Sequence, residues 1–471
     1  MRGAIAAGHP LTAEAGARVL EAGGNAVDAC VAAAFVSWVC ESPLTGPGGG
    51  GFMLVHTADG RTRVLDFFVA VPRGARPEAE LLELAVDFDG DTQQLFRTGT
   101  AAVAVPGNAL GLETAWKQWG TMPWAELVAP AAGLARAGVE LTETQAYLHA
   151  ILDPLLRHSP EGDALYGPGR ARGVGETFAL PELAATLERL AAEGAAALYR
   201  GELAEVIVEH VQRGGGALSI EDLTAYRVIR RRPVEARYQG HEFRSNPPPS
   251  SGGTLIALGL RELGDGEPTP ATIVRAMEAQ ETARALRRGK ITRALLSGTT
   301  HISAVDARGD AASLSASLGS GSGVVVPGTG IHLNNMLGEA DLAGASRPGE
   351  RLTSMMAPSV VLRDGGVRLV VGSAGSNRLR GAILQVIANV VGRGLDVTAA
   401  VDAPRVHAEE GVVHCEDPRV ADELEQAGRA VVRWRERNLF FGGASAVEVD
   451  EDGSLSAAGD PRRGGAGVVV A

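Results

Sequence analysis

The spacing of apolar residues shifts from mostly helical to mostly strand-like close to residue 298. Before that point the pattern is mostly helical. Thr12 to Leu20 reads as a helix with Thr12 as its cap and Gly23-Gly24 as its stop. Asn25 to Glu41 reads as a second helix, whose small residues Ala26, Ala29, Ala32, Ala33 and Ala34 predict close packing in a core. A glycine-rich loop, Pro43 to Gly51, leads into Phe52 to His56 and Arg63 to Asp66, which predict paired strands. From Pro106 to about Arg213 the pattern is amphipathic and helical. Beyond the proline run Pro247-Pro248-Pro249, another helical stretch reaches about Leu296. Then the period falls to two. His301 to Ala307 and Ala312 to Leu318 alternate as strands around an Arg308-Gly309-Asp310 turn. Ser359 to Leu362 and Val367 to Val371 form a second pair, Leu379 to Val391 is helical, and Ala444 to Val449 is strand-like. Strand pairs with helices before and after them predict a layered α/β protein, with helices over both faces of antiparallel sheets.

Composition narrows the partners. A net charge of −12 argues against nucleic acid and against an anionic membrane surface. No window holds ~18 consecutive apolar residues, so no membrane span is expected. Met1-Arg2-Gly3-Ala4-Ile5 lacks the apolar run of a signal peptide, and the expected location is cytoplasmic. Cys30, Cys40 and Cys415 form no CxxC and no even-numbered framework, so neither a disulfide scaffold nor a structural zinc is expected. Cys30 and Cys40 fall in an apolar helix and read as core. The lysines, Lys117 and Lys290, stand outside any Ser-x-x-Lys pair, which removes that nucleophile–base chemistry. The histidines are scattered, without HExxH. His407 and His414, with Glu409 and Glu416, read as exposed polar residues rather than metal ligands. The loop Gly46 to Gly51 lacks the Gly-Lys-Ser/Thr ending of a phosphate loop. Gly319-Ser320-Gly321-Ser322-Gly323 is not a GxSxG elbow, because its third residue is glycine. No metal and no cofactor are expected.

The period changes at Leu296-Ser297-Gly298-Thr299-Thr300-His301-Ile302-Ser303, by composition only a turn entering a strand. Here the chain resembles the gamma-glutamyltransferase family over nearly its whole length. The shared stretches run in order: "AAGHPLTAEAG" around His9-Pro10, "GGNAVDA" from Gly23 to Ala29, "GGGGFML" from Gly48 to Leu54, "PPPSSGG" from Pro247 to Gly253, "TTHIS" from Thr299 to Ser303, "PGTGIHLNN" from Pro327 to Asn335, and "GDPR" from Gly459 to Arg462. The resemblance implies an N-terminal nucleophile hydrolase with a four-layer αββα sandwich, made as a precursor. A cut between Gly298 and Thr299 would give a large chain, 1–298, and a small chain, 299–471, which stay associated as one αββα domain. The Thr299 hydroxyl would attack the Gly298 carbonyl, where no side chain obstructs it. The freed α-amine, with an ordinary pKa of ~7.7–8.0, would then serve as the base. Ser317 matches a second family threonine beside the nucleophile. Gly375 and Ser376 match a Gly-Gly pair whose N–H groups form an oxyanion hole.

The implied substrate pocket departs from the family. The arginine that clamps a glutamyl α-carboxylate falls at Phe68, in Leu65-Asp66-Phe67-Phe68, with Arg73 and Arg76 nearby in sequence. Losing such a partner costs ~2–5 kcal/mol. Thr353 and Ser354 keep a pair of hydroxyls that contact the same carboxylate. On the amino side, the family asparagine falls at or near Gly319, the glutamine becomes Met336, and the aspartate becomes Glu339. The expected partner is a small-molecule substrate: a gamma-glutamyl amide, or a non-glutamyl group. The second class is met in relatives such as cephalosporin acylases, which cut a glutaryl-type amide, and carbon–carbon bond hydrolases of alkylproline antibiotic pathways. A non-catalytic relative would have no use for Gly298-Thr299-Thr300.

Overall fold

The computed structural model describes residues 2–75, 81–88, 92–288, 298–339 and 347–471. Two antiparallel sheets lie at its centre. Their strands, in chain order, are β1 (Gly3–Ala7), β2 (Gly50–His56), β3 (Thr62–Phe67), β4 (Ile229–Arg231), β5 (Val234–Tyr238), β6 (His241–Ser245), β7 (Gly298–Asp306), β8 (Ala311–Gly319), β9 (Ser359–Arg363), β10 (Gly366–Ala374), β11 (Gly443–Val449), β12 (Leu455–Gly459) and β13 (Ala466–Val470). The first sheet runs β13-β1-β7-β8-β2-β3-β4, and the second runs β12-β11-β10-β9-β6-β5. The sheets face each other, with β7 and β8 against β10.

Three apolar layers follow from the two-residue period of the strands. Ile5, Ile302, Ala304 and Leu314 point to one side of the first sheet, into a core shared with α1 (Pro10–Glu21), α2 (Ala26–Cys40) and α3 (Asn108–Trp119). Ala4, Ala6, Val305 and Ala311 point to the other side and meet Val360, Val370 and Val447 of the second sheet. Beyond that sheet, Leu369 and Val371 pack on α4 (Gly252–Leu263) and α5 (Leu379–Ile387). The architecture is helix, sheet, sheet, helix, as expected. Every residue of α2 is buried, which explains its small side chains. Asn25 and Asp28 close its N-terminus in a reciprocal capping box. Cys30 and Cys40 are buried there.

Several sequence expectations need correction. α1 starts at Pro10, and the His9 ring caps it by accepting from the Leu11 N–H. Thr12 instead donates its hydroxyl to Glu41. The helix from Leu379 ends at Ile387 and passes into a π-turn, Ala388–Gly392. His407 is buried, not exposed, and lies 3.5 Å from Glu409. The side chain of Glu416 is also buried, paired with Arg462. No group able to hold a metal ion occurs among the described residues. Arg76 and the part of the expected helix from 289 to Leu296 lie outside the described residues.

Candidate active site

The site forms where β7 begins. Its pairing with β8 slips between Gly298, opposite Gly319, and Thr300, opposite Ala316, so Thr299 alone faces Ser317 and Leu318 across a bulge in β8. Bulges re-aim a side chain at a sheet's rim. Gly298 is required by space, since a Cβ there would lie 2.4 Å from the Gly319 carbonyl oxygen and 3.0 Å from the Cα of Leu44. Ser317 Oγ donates to the Gly298 carbonyl oxygen and accepts the Gly319 N–H at 2.8 Å. The scissile carbonyl of the expected cut is thus already hydrogen-bonded.

Thr299, Ser317, Ser354, Ser376, Phe68, Met336 and Glu339 line one cleft of about 370 Å³, together with Met355, Met356 and Leu379. These positions come from six separate stretches of chain. Gly375 adjoins the cleft at the end of β10. It has φ 120°, and Ser376 has φ 56° at the start of a short 3₁₀ turn into α5. A positive φ is uncommon for a serine and marks local backbone strain. Thr353 does not line the cleft; its hydroxyl donates to the Pro249 carbonyl at 2.8 Å. The Pro247 to Gly253 loop grips that segment further, because the Ser251 N–H and the Ser250 hydroxyl both donate to the Ser354 carbonyl at 2.8 Å.

Phe68 stacks on Phe52 with ring centres 5.4 Å apart. Its carbonyl accepts from the Tyr226 hydroxyl at 2.7 Å and from Arg351 at 2.6 Å. Arg351 also lies 3.4 Å from Asp66, with its guanidinium over the Tyr226 ring. The arginine of this region is therefore committed to the backbone behind Phe68. Arg73 is exposed and does not line the cleft. Gly319 lets Asn335 and Glu339 approach, since a Cβ there would meet Asn335 Oδ1 at 2.1 Å and Glu339 Oε1 at 2.7 Å.

Two supports escaped the sequence reading. Asn334 donates to the carbonyls of Gly48 and Ala104 at 2.8 and 2.9 Å and accepts from the Ala104 and Met336 N–H groups. It ties the glycine loop to the segment carrying Met336 and Glu339. Glu41 lies in a second cavity of about 280 Å³, with Gly8, Thr300, Asp460 and Arg463. Burial pushes its carboxyl up to about 7, against the opposing pull of Thr300, Thr12 and Arg463. The available signal was a lone acid directly after a wholly apolar helical turn, Trp38-Val39-Cys40. Thr299 is the residue that the two cavities share.

The family model for gamma-glutamyltranspeptidase matches residues 12–294 and 270–470. The chain belongs to the gamma-glutamyltranspeptidase family. Relatives within it carry different activities in their names. The glutathione hydrolase proenzyme of Pseudomonas aeruginosa is 32% identical, over 99% of this chain and 94% of its own. The acylase ACY 1 proenzyme of Pseudomonas sp. (strain SE83) is 33% identical, over 100% and 94%. Among solved structures, cephalosporin acylase from Bacillus halodurans superposes with a TM-score of 0.85 at 27% identity, over 99% of this chain and 95% of its own. Gamma-glutamyltranspeptidase from Helicobacter pylori gives 0.53 at 32% identity, over 60% and 82%. The chain is thus an enzyme of a family of gamma-glutamyltranspeptidase-type hydrolases and acylases. No helix among the described residues is long and apolar enough to cross a membrane.

Proposed function

We propose that the chain cuts itself between Gly298 and Thr299 and then acts as an N-terminal threonine hydrolase or acyltransferase. The observation that carries this reading is the Ser317 hydroxyl on the Gly298 carbonyl, beside a threonine that faces the β8 bulge. A donor on that oxygen favours the charge that develops there when Thr299 Oγ attacks. The proenzyme names of the relatives agree with a processed precursor. After the cut, the Thr299 amine takes the hydroxyl proton as Oγ attacks a substrate carbonyl, and the acyl group passes to water or to an amine. Gly375 and Ser376 supply backbone N–H groups for the oxyanion. The strained φ of Ser376 fits such a duty. Purified protein is expected as two chains on denaturing electrophoresis, and Thr299→Ala as one. An intact wild-type chain that stays intact on incubation would end this proposal.

For the acyl group, the cleft favours the non-glutamyl alternative over a gamma-glutamyl amide. Its described lining holds Phe68, Met336, Met355, Met356 and Leu379, one carboxylate in Glu339, and no cation. A free α-carboxylate would find hydroxyls such as Ser354 but no cation in the described lining, at a cost of ~2–5 kcal/mol. The substrate class is then an amide or ketone with an apolar acyl portion, as in specialised metabolism such as antibiotic biosynthesis. A gamma-glutamyl anilide assay separates the readings. Efficient release of the aniline by the processed enzyme would restore the glutamyl assignment.

A further inference from the structure

Glu41 is a buried acid that the mechanism above leaves unused. It follows the last residue of α2, where the negative end of the helix dipole adds to the cost of its charge. Both carboxyl oxygens accept from threonines: Oε1 from Thr12 of α1 at 2.9 Å, and Oε2 from Thr300 of β7 at 2.6 Å. Gly8 makes room for it, since a Cβ there would stand 2.6 Å from Oε2.

The groups around it are fixed in charge near neutrality. Arg463, from the turn Pro461–Arg463, is lowered by burial and by Arg378 only to about 10 and stays cationic. Asp460 on the cavity wall is held ionised by Arg405, 2.6 Å away, and by Arg462. His301 is pushed by burial to about 3 and stays neutral. Cys40, beside Glu41 on its own helix, is pushed up by burial and stays a thiol. Among the described residues that line this cavity in the uncut chain, Glu41 is the one whose charge changes close to neutral pH.

We propose that Glu41 supplies the proton that the Thr299 nitrogen needs when the Gly298–Thr299 peptide bond opens. This rests on Thr299 being the self-cleaving nucleophile. Thr299 Oγ bonds to the Gly298 carbonyl carbon, and the bond from that carbon to the Thr299 nitrogen breaks. The nitrogen leaves as an amine because the Glu41 carboxyl gives it a proton through the cavity both residues line. The new carboxylate is held by Thr12, Thr300 and Arg463. The proton lost from Oγ passes to water and returns to Glu41. Water then hydrolyses the ester, leaving a carboxyl group on Gly298 and the hydroxyl on Thr299. The uncut chain has no free amine at Thr299, so that amine cannot set the pH dependence of the cut.

The test is the rate of splitting of freshly refolded full-length chain from about pH 5.5 to about pH 9, read by denaturing electrophoresis. The wild-type rate should fall ~tenfold per pH unit above about 7, as the acid form is lost. Glu41→Gln should split ~tenfold or more slowly at low pH and show no such limb. Glu41→Asp should keep a limb, displaced in pH because its carboxyl is a different acid. A Glu41→Gln chain that splits with the wild-type rate and limb overturns the proposal. Should Glu41→Gln fail to fold, a Glu41→Asp limb at the wild-type position overturns it equally. A wild-type chain that never splits at any pH would instead remove the nucleophile reading.

Discussion

Ser317 holds the carbonyl of the bond proposed to break. It accepts from the Gly319 N–H, so its own proton is aimed at the Gly298 oxygen. Ser317→Ala is expected to slow self-cleavage by ~10²–10³-fold, the usual cost of one oxyanion donor. Ser317→Thr should restore most of the rate. A time course on denaturing gels reads both. Glu41 makes a different prediction, about stability. Its folded pKa is raised from 4.5 to about 7, so the folded state binds the proton more tightly than the unfolded state. The stability that this provides is fully present below about pH 4.5 and is lost as pH rises through about 7. In an uncut Thr299→Ala background, the melting temperature should therefore fall over that range, and Glu41→Gln should flatten the fall. Thr299 was singled out through a resemblance carried by contiguous stretches such as "TTHIS", because its own surroundings read only as a turn entering a strand. Glu41 was not, because its partners Thr12 and Thr300 stand 29 and 259 residues away.

Elements were legible where one face is apolar and the other is not. The pair β7 and β8 alternates visibly, yet its polar face is not solvent-facing. His301 Nδ1 meets Ser315 Oγ at 2.8 Å, His301 Nε2 meets Ser303 Oγ at 3.0 Å, and Ser303 donates to the Ser445 carbonyl across the sheets. The alternation is apolar toward α2 and hydrogen-bonded toward the second sheet. β1 was missed for the converse reason. Gly3–Ala7 is buried on both faces and shows no alternation. The His301 ring fits between the sheets only because position 372 is glycine, where a Cβ would stand 2.2 Å from the ring. Gly372→Ala is expected to destabilise by ~1–3 kcal/mol through overpacking, seen as a lower melting temperature, with the nucleophile's own strand displaced and self-cleavage slowed.

Across the whole molecule, the two prospective chains are interleaved. β1 from residues 1–298 lies between β13 and β7 from residues 299–471, and β8 is paired on its far side with β2. A cut at Gly298–Thr299 therefore severs no layer. The processed protein should elute from a sizing column as one particle with the mass of the uncut chain, and the chains should part only in denaturant. Separate elution of the two chains in native buffer would contradict this. The cleft draws on residues from both prospective chains, Phe68 from one and Thr299, Ser317 and Ser376 from the other.

The pairing of β1 with β13 has one more consequence. Gly3 stands directly opposite Val470 in an antiparallel ladder, which is the geometry of two strand ends awaiting a hairpin turn. A short linker across that gap would close the fold into a ring, and the ring could be reopened at the Gly298–Thr299 junction. A gene re-strung in this order would begin with Thr299 after removal of an initiator methionine. Its product would carry the free amine from birth, so that turnover of substrate could be studied in a protein that never had to break its own backbone.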